Sequence, residues 1–182
     1  MNGRVRALGA TLLAGAVLAA AGCGGDDNQV SASTQWAGDL CTAVNTWRNS
    51  IATTASTLTS NPTRDGLEQA AADAEVTTRT MIDTVKGLGA PDTTSGDEAK
   101  AAVDSLATSL QSDVETIKGA VEGVSDVQGL LAAASTVSST VANISTQLSS
   151  TLDELGALRD SDDELKQAFS DADSCDGVIP GS

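Results

Sequence analysis

Four stretches of this chain repeat apolar or small residues at alternating steps of three and four. The first runs Trp36, Leu40, Val44, Trp47, Ile51, Ala55 and Leu58. The second runs Leu67, Ala71, Ala74, Thr78, Met81, Val85 and Leu88. The third runs Ala99, Val103, Leu106, Leu110, Val114, Ile117, Val121 and Val124. The fourth runs Leu130, Ala134, Val137, Val141, Ile144, Leu148, Leu152 and Leu155. Such steps bring side chains to one face of a helix and exclude the period of two that a strand requires. Sustained over several turns, each stripe is a seam that must be buried against other helices. The pattern predicts an all-α fold, an elongated up-down-up-down four-helix bundle. A helix of about 27 residues is about 40 Å long, so the bundle is rod-like.

The breaks between stripes have mechanisms. Asn61 is placed to cap a helix beginning at Pro62, where the missing N–H costs nothing. Gly87, Gly89 and Pro91 end the second helix, because glycine permits a left-handed exit and proline cannot continue. Thr94 or Ser95 caps the third. Gly123 and Ser125-Asp126 mark either a break or a bend in a continuous helix. After Gly156, Ser161 and Glu164 have capping-box spacing and open a short fifth helix with Leu165, Ala168 and Phe169 inward. The tail from Asp173, with Gly177 and Pro180, is non-helical. Connectors this short make neighbouring helices antiparallel.

The N-terminus supplies an address. Arg4 and Arg6 precede an apolar run from Leu8 to Ala21, within the range of a secretory core and short for a bilayer span. The run ends Val17-Leu18-Ala19-Ala20-Ala21-Gly22-Cys23. This resembles a bacterial lipoprotein signal, with the leucine of the usual box standing at Leu18 and Ala20 in its place. The resemblance implies that residues 1–22 are removed and that Cys23 receives a lipid. A plain secretory signal cut nearby and a retained membrane anchor are the other readings. Residues 23–33 form a tether with a typical reach of about 18 Å. Residues 34–182 form the bundle domain.

An exported chain with Cys23 committed to lipid leaves Cys41 and Cys175, an even pair that predicts a disulfide. Two free thiols with a redox role are the alternative, but neither cysteine lies in a CxxC or beside clustered positive charge. In the up-down topology both cysteines fall at the same end of the rod.

Loss of residues 1–22, which carry Arg4 and Arg6 and no acid, takes the net charge from −15 to −17. That balance excludes a nucleic-acid partner, which needs a basic footprint. It also opposes lying flat on anionic lipid. It suits a solvated surface, or one attracting cationic ligands or divalent metal.

Catalytic chemistry is sparse. With no histidine and no tyrosine, Ser/His/Asp triads are excluded and the commonest general base is missing. A Ser–Lys pair would draw on Lys86, Lys100, Lys118 or Lys166, and no local signature selects one. No phosphate-binding glycine motif occurs. The string from Asp171 through Asp173 and Asp176 to Gly177 approaches a calcium loop, but the third acid and the glycine fall one place late. Ser182 stands where the closing acid belongs. The chain is therefore expected to be no enzyme and to hold no cofactor or metal.

Two features remain for binding. Trp36 and Trp47, eleven residues apart, share a helix face and with Phe169 make up all the aromatics. They are core anchors, the wall of a ligand cleft with Met81, or an exposed hot spot. Helix four passes from Val127 to Leu152 without a charge. It is packed on several sides, or its face docks a partner or second copy. Its serines and threonines and its striped apolar pattern oppose a transmembrane reading.

The lipoprotein box, the Cys23-Gly24-Gly25-Asp26-Asp27 start, the Ala/Thr/Ser/Asp-rich composition and the Trp36–Cys41–Trp47 spacing together resemble small helical lipoproteins of high-GC Gram-positive (actinobacterial) bacteria. That resemblance implies an outer-face location and a helical fold, and no activity. The leading expectation is a non-catalytic envelope lipoprotein acting as an interaction or accessory module. The alternative is a carrier holding a small apolar or amphipathic ligand between its helices. A pocket of about 300 Å³ or more lined by Trp36, Trp47 and Met81 favours the carrier. A solid core with an exposed uncharged stripe on helix four favours the module.

Overall fold

The computed structural model describes residues 30–60 and 63–179, without the side chains of 57–60. Cys23, the start of the tether, the Asn61–Pro62 cap, the Leu58 side chain and Pro180 lie outside what is described. The elements are α1 (Ala32–Ser60), α2 (Arg64–Gly87), α3 (Gly96–Glu122), α4 (Val127–Ser161), α5 (Asp163–Ser170) and a 3-10 turn (Asp173–Cys175). The fold is all-α, with four long antiparallel helices. α1 packs on α2, α2 on α3 and α3 on α4, while α5 packs on both α1 and α4. α1 begins at Ala32, so the last two tether positions are helical.

Local chemistry sets the ends. Thr63 is extended and its hydroxyl accepts from the Gly66 N–H at 3.1 Å, capping α2. Gly89, at φ +71°, makes the left-handed exit after α2. The turn into α3 is tight: a Cβ on Gly96 would lie 2.0 Å from the Pro91 carbonyl oxygen. Ser95 occupies the α3 N-cap position but makes no side-chain cap bond. Gly123 ends α3, and Asp126 starts α4 by accepting from the Gly129 N–H at 2.7 Å. The junction is a break, not a bend.

Two expectations fail near the end of α4. Gly156 does not stop the helix, which runs on to Ser161. Gly156 is buried, and a Cβ there would meet Ile179 at 3.8 Å, an ordinary packing distance, so the tail lies against this position without requiring a glycine. Ser161 does not cap α5, because its hydroxyl donates back to the Leu158 carbonyl. Asp162 takes that role: one carboxylate oxygen accepts from the Glu164 and Leu165 N–H groups, each at 3.0 Å. The other oxygen accepts from the Ser95 N–H at 2.7 Å. One buried carboxylate thus joins the end of α4, the start of α5 and the start of α3.

The main core holds Leu40, Val44, Leu106, Leu110, Leu148, Leu152 and Leu155, closed from below by Leu165, Phe169, Val178 and Ile179. A smaller cluster of Leu67, Val121, Val124 and Ala133 fills the far end. Cys41 and Cys175 form a disulfide with Cα atoms 5.0 Å apart, and both residues are fully buried. Asn45 donates to the Ser174 carbonyl, and the Ser174 hydroxyl donates to the Gly38 carbonyl. The tail is thereby fastened to α1 on either side of the bridge.

Two carboxylates respond to folding in opposite senses. The Leu165 N–H holds Asp162 below the ordinary carboxylate range against the cost of burial, aided by the Ser95 and Glu164 N–H groups. The Thr93 hydroxyl, buried without a partner of normal geometry, adds to this through its proximity. Burial pushes Asp113 up, and the Gln147 amide, donating to it at 3.1 Å, only partly opposes the shift.

Three outcomes follow. Asp162→Ala removes a cap and a charged anchor and lowers stability by about 3 kcal/mol at neutral pH. A depressed pKa stabilises above the unfolded value, so in thermal melts the gap to the parent is full above pH about 5 and closes on acidification. Asp113→Asn acts the other way, raising the melting temperature at pH about 7 by removing a desolvated charge, with the gain lost as pH falls through the raised pKa toward the ordinary carboxylate value. Cys41→Ala with Cys175→Ala lowers unfolding free energy in denaturant titrations by about 2–5 kcal/mol, since the bridge closes a loop of about 135 residues.

Candidate functional site

Both indoles are spent inside the bundle. Trp36 is buried, and its ring N–H donates to the Gly89 carbonyl at 3.0 Å. Its ring meets Phe169 edge-to-face, with centroids 6.0 Å apart. That contact links α1, the α2–α3 connection and α5. Trp47 is buried too, and its N–H donates to the Thr78 hydroxyl at 3.0 Å. A buried indole N–H needs an acceptor. Thr78, a polar residue within an apolar stripe, was the signal in the sequence that one was at hand.

Trp36, Trp47 and Met81 do not line one cavity. The interior space beside Trp47 is about 20 Å³, bounded by Ile51, Ala71, Thr78, Ile117 and Ile144 among others. It is near the minimum for one water. Trp47 and Met81, both buried, floor an open groove of about 550 Å³ between α1 and α2. Its walls include Thr46, Val76, Thr80 and Thr84, and Trp36 is not part of it. The Thr80 and Thr84 hydroxyls donate to carbonyls one turn back, Val76 and Thr80, so they are occupied by their own helix.

The outer face of α4 is the other candidate. Ala133, Thr140, Ile144, Leu148 and Leu152 point into the bundle. Leu130, Ala134, Val137 and Val141, expected in the seam, are only partly covered. The buried stripe is rotated toward Ala133 and Thr140, and α3 is the long helix on which α4 chiefly packs. Outward lie Ser135, Ser138, Ala142, Asn143, Ser149 and Ser150, with no charge from Val127 to Leu152. Val127 and Leu131 stand 73% and 67% exposed at the start of this face. The hydroxyls of Thr136, Ser139, Ser145, Thr146 and Ser149 donate to carbonyls of α4 itself. The face is therefore less polar than its composition. No helix among the described residues is long and apolar enough to cross a membrane.

At the opposite end, where the described chain starts, an open cleft of about 680 Å³ lies between Val30–Thr34 and α5, with Asp92, Glu164 and Asp171 around it. Asp173 and Cys175 are wound into the 3-10 turn, and among the described residues no three His, Cys, Asp or Glu side chains gather as metal ligands. Lys86, Lys118 and Lys166 are exposed, and Lys100 pairs with Asp104 on its own helix. No lysine is buried beside a serine to act as a base.

Comparison with known proteins returns no match: no family model, no curated protein and no solved structure corresponds to this chain.

Proposed function

We propose that this chain is a non-catalytic lipoprotein of the cell envelope, held by a lipid on Cys23 at the outer face of the membrane, whose bundle docks a partner protein through the outer face of α4. The observation that carries this is the exposed face of the charge-free run Val127–Leu152 on a chain of net charge −15. Charged groups resist desolvation, and an uncharged face is the part of such a surface that loses water most cheaply. Small side chains along it allow close helix approach, and Val127 and Leu131 give it an apolar end. The filled core and inward-bonded indoles agree with this reading.

The α1–α2 groove over Trp47 and Met81 supports a second reading, a site for a small apolar or amphipathic ligand. Its size is suitable, although it is open and not enclosed between the helices.

Native mass spectrometry of the protein released gently from its own envelope separates the two. A second polypeptide on the bundle is expected. A discrete added mass of a few hundred daltons replaces the docking reading with the ligand one. Ser135→Glu with Ala142→Glu, both on the exposed face, should weaken partner binding about tenfold or more, equal to 1.4 kcal/mol, without lowering the melting temperature. Unchanged binding by this variant refutes α4 as the docking face.

A further inference from the structure

Buried side chains are shared unequally between the two ends of the rod. On α1 they run from Ser33 to Trp47, and over residues 48–56 none is buried. On α2 only Leu67 and Ala70 are buried before Thr78. On α4 only Ala133 and Thr140 are buried before Ile144, and Leu148, Leu152 and Leu155 follow it. Cross-links follow the same division. The Cys41–Cys175 bridge and the hydrogen bonds of Trp36, Asn45 and Asp162 all join elements at the bridged end.

The two cores are joined thinly. The far cluster of Leu67, Val121, Val124 and Ala133 is separate from the main one. Among the described residues, the apolar side chains packed against both are Ala71 and Val137, each half-buried. The space of about 20 Å³ beside Trp47 has Ala71 on its wall, so it lies in this same layer.

We infer that the far half of the bundle is a separately opening unit, which unfolds and recloses while the bridged half stays folded. It comprises residues 48–56 of α1, 64–77 of α2, 114–122 of α3 and 127–143 of α4. The free energy of a local opening is set by the apolar contacts it loses and the cross-links it breaks. Opening the far half dissolves the small cluster and breaks no bridge. The main core survives it, because little apolar contact crosses the layer between them. The disulfide holds α1 to the tail in the open form as in the closed one. Opening bares Leu67, Val114 and Val121, apolar surface that the closed bundle hides. One end of the molecule thus holds the fold, and the other exposes its interior at a lower cost.

Native-state hydrogen exchange of the full chain with its disulfide intact, read by mass spectrometry of peptides, tests this. After correction for intrinsic rates, the far segments 67–77, 114–121 and 130–143 should share one exchange rate. That rate should be about 100-fold or more above the rate of 36–47, 99–110 and 148–158. Val85 is buried in the main core. Val85→Ala should speed the slow segments about tenfold and leave the far ones unchanged, because the far opening does not disturb the surroundings of Val85. Equal protection at both ends overturns the inference. Unrelated rates among the far segments also overturn it, since they mean that each helix frays alone. Equal acceleration of both halves by Val85→Ala overturns it as well, because the bundle is then one cooperative unit.

Discussion

Chain order leaves one seam of this bundle without a connection of its own, and the Cys41–Cys175 bridge closes it. Antiparallel helices joined by short turns pack neighbour on neighbour, so α1–α2, α2–α3 and α3–α4 are each supported by a loop. The first and last helices have no such link. Here α5 and the 3-10 turn are laid against α1, with α5 also against α4, and the disulfide makes that placement covalent. The rest of the bridged end depends on this. Phe169 reaches the edge of Trp36 only if α5 is held there, and Ile179 reaches Gly156 only if the tail is. Asp162 sets the angle at which α5 leaves α4, and its second oxygen secures that corner to α3. The bridge closes the seam, and the carboxylate fixes the direction of the chain that makes the bridge.

Four helices, the short fifth, the bridge and most boundaries were legible because each rests on a local or pairwise rule. A stripe of period 3.6 is a property of one segment, and two cysteines in an exported chain need only each other. The misreadings share the opposite property. Gly156 looks like a terminator to any rule confined to its own segment, since glycine is a poor helix former. Here the helix runs through it, with the buried face of α4 at this point covered by Ile179, 23 positions away in the chain. Ser161 and Glu164 have the spacing of a capping box, yet Asp162 caps with a stronger acceptor and also reaches Ser95, a gain no local rule contains. The stripe on α4 was rotated by the same kind of cause. α4 packs chiefly on α3 among the long helices, and in its first half only Ala133 and Thr140 are fully buried.

The tryptophans show how the polar groups of an aromatic pair fix its place in the bundle. Two aromatics on one helix face are equally suited to a core and to a cleft until the indole N–H groups find acceptors. Here Gly89 and Thr78 provide them, on the α2–α3 connection and on α2. Trp47 and Thr78 form a polar tie within an apolar layer. Thr78 is 2% exposed, so its hydroxyl would be costly to leave unpaired. The residual space of about 20 Å³ beside the pair is what remains after small residues, Ala71 and Ala74, face branched ones across the layer. A cavity of that size is a packing remainder, not a binding site.

The same accounting constrains what the proposed partner of α4 would have to bring. Interfaces draw most of their energy from a few large anchors, chiefly tryptophan, tyrosine and arginine. This chain has no tyrosine, and both tryptophans are buried. From Val127 to Leu152 there is no arginine, and the outward hydroxyls are largely bonded to their own helix. The face thus offers shallow recesses between small side chains, with Val127 and Leu131 as its only large exposed apolar groups. Under the proposed docking, the partner would supply the knobs and α4 the holes. The acidic residues elsewhere on the rod then act through exclusion, leaving the uncharged flank as the place where approach is least opposed. Specificity on such a surface arises as much from what the rest of the molecule repels as from what α4 attracts.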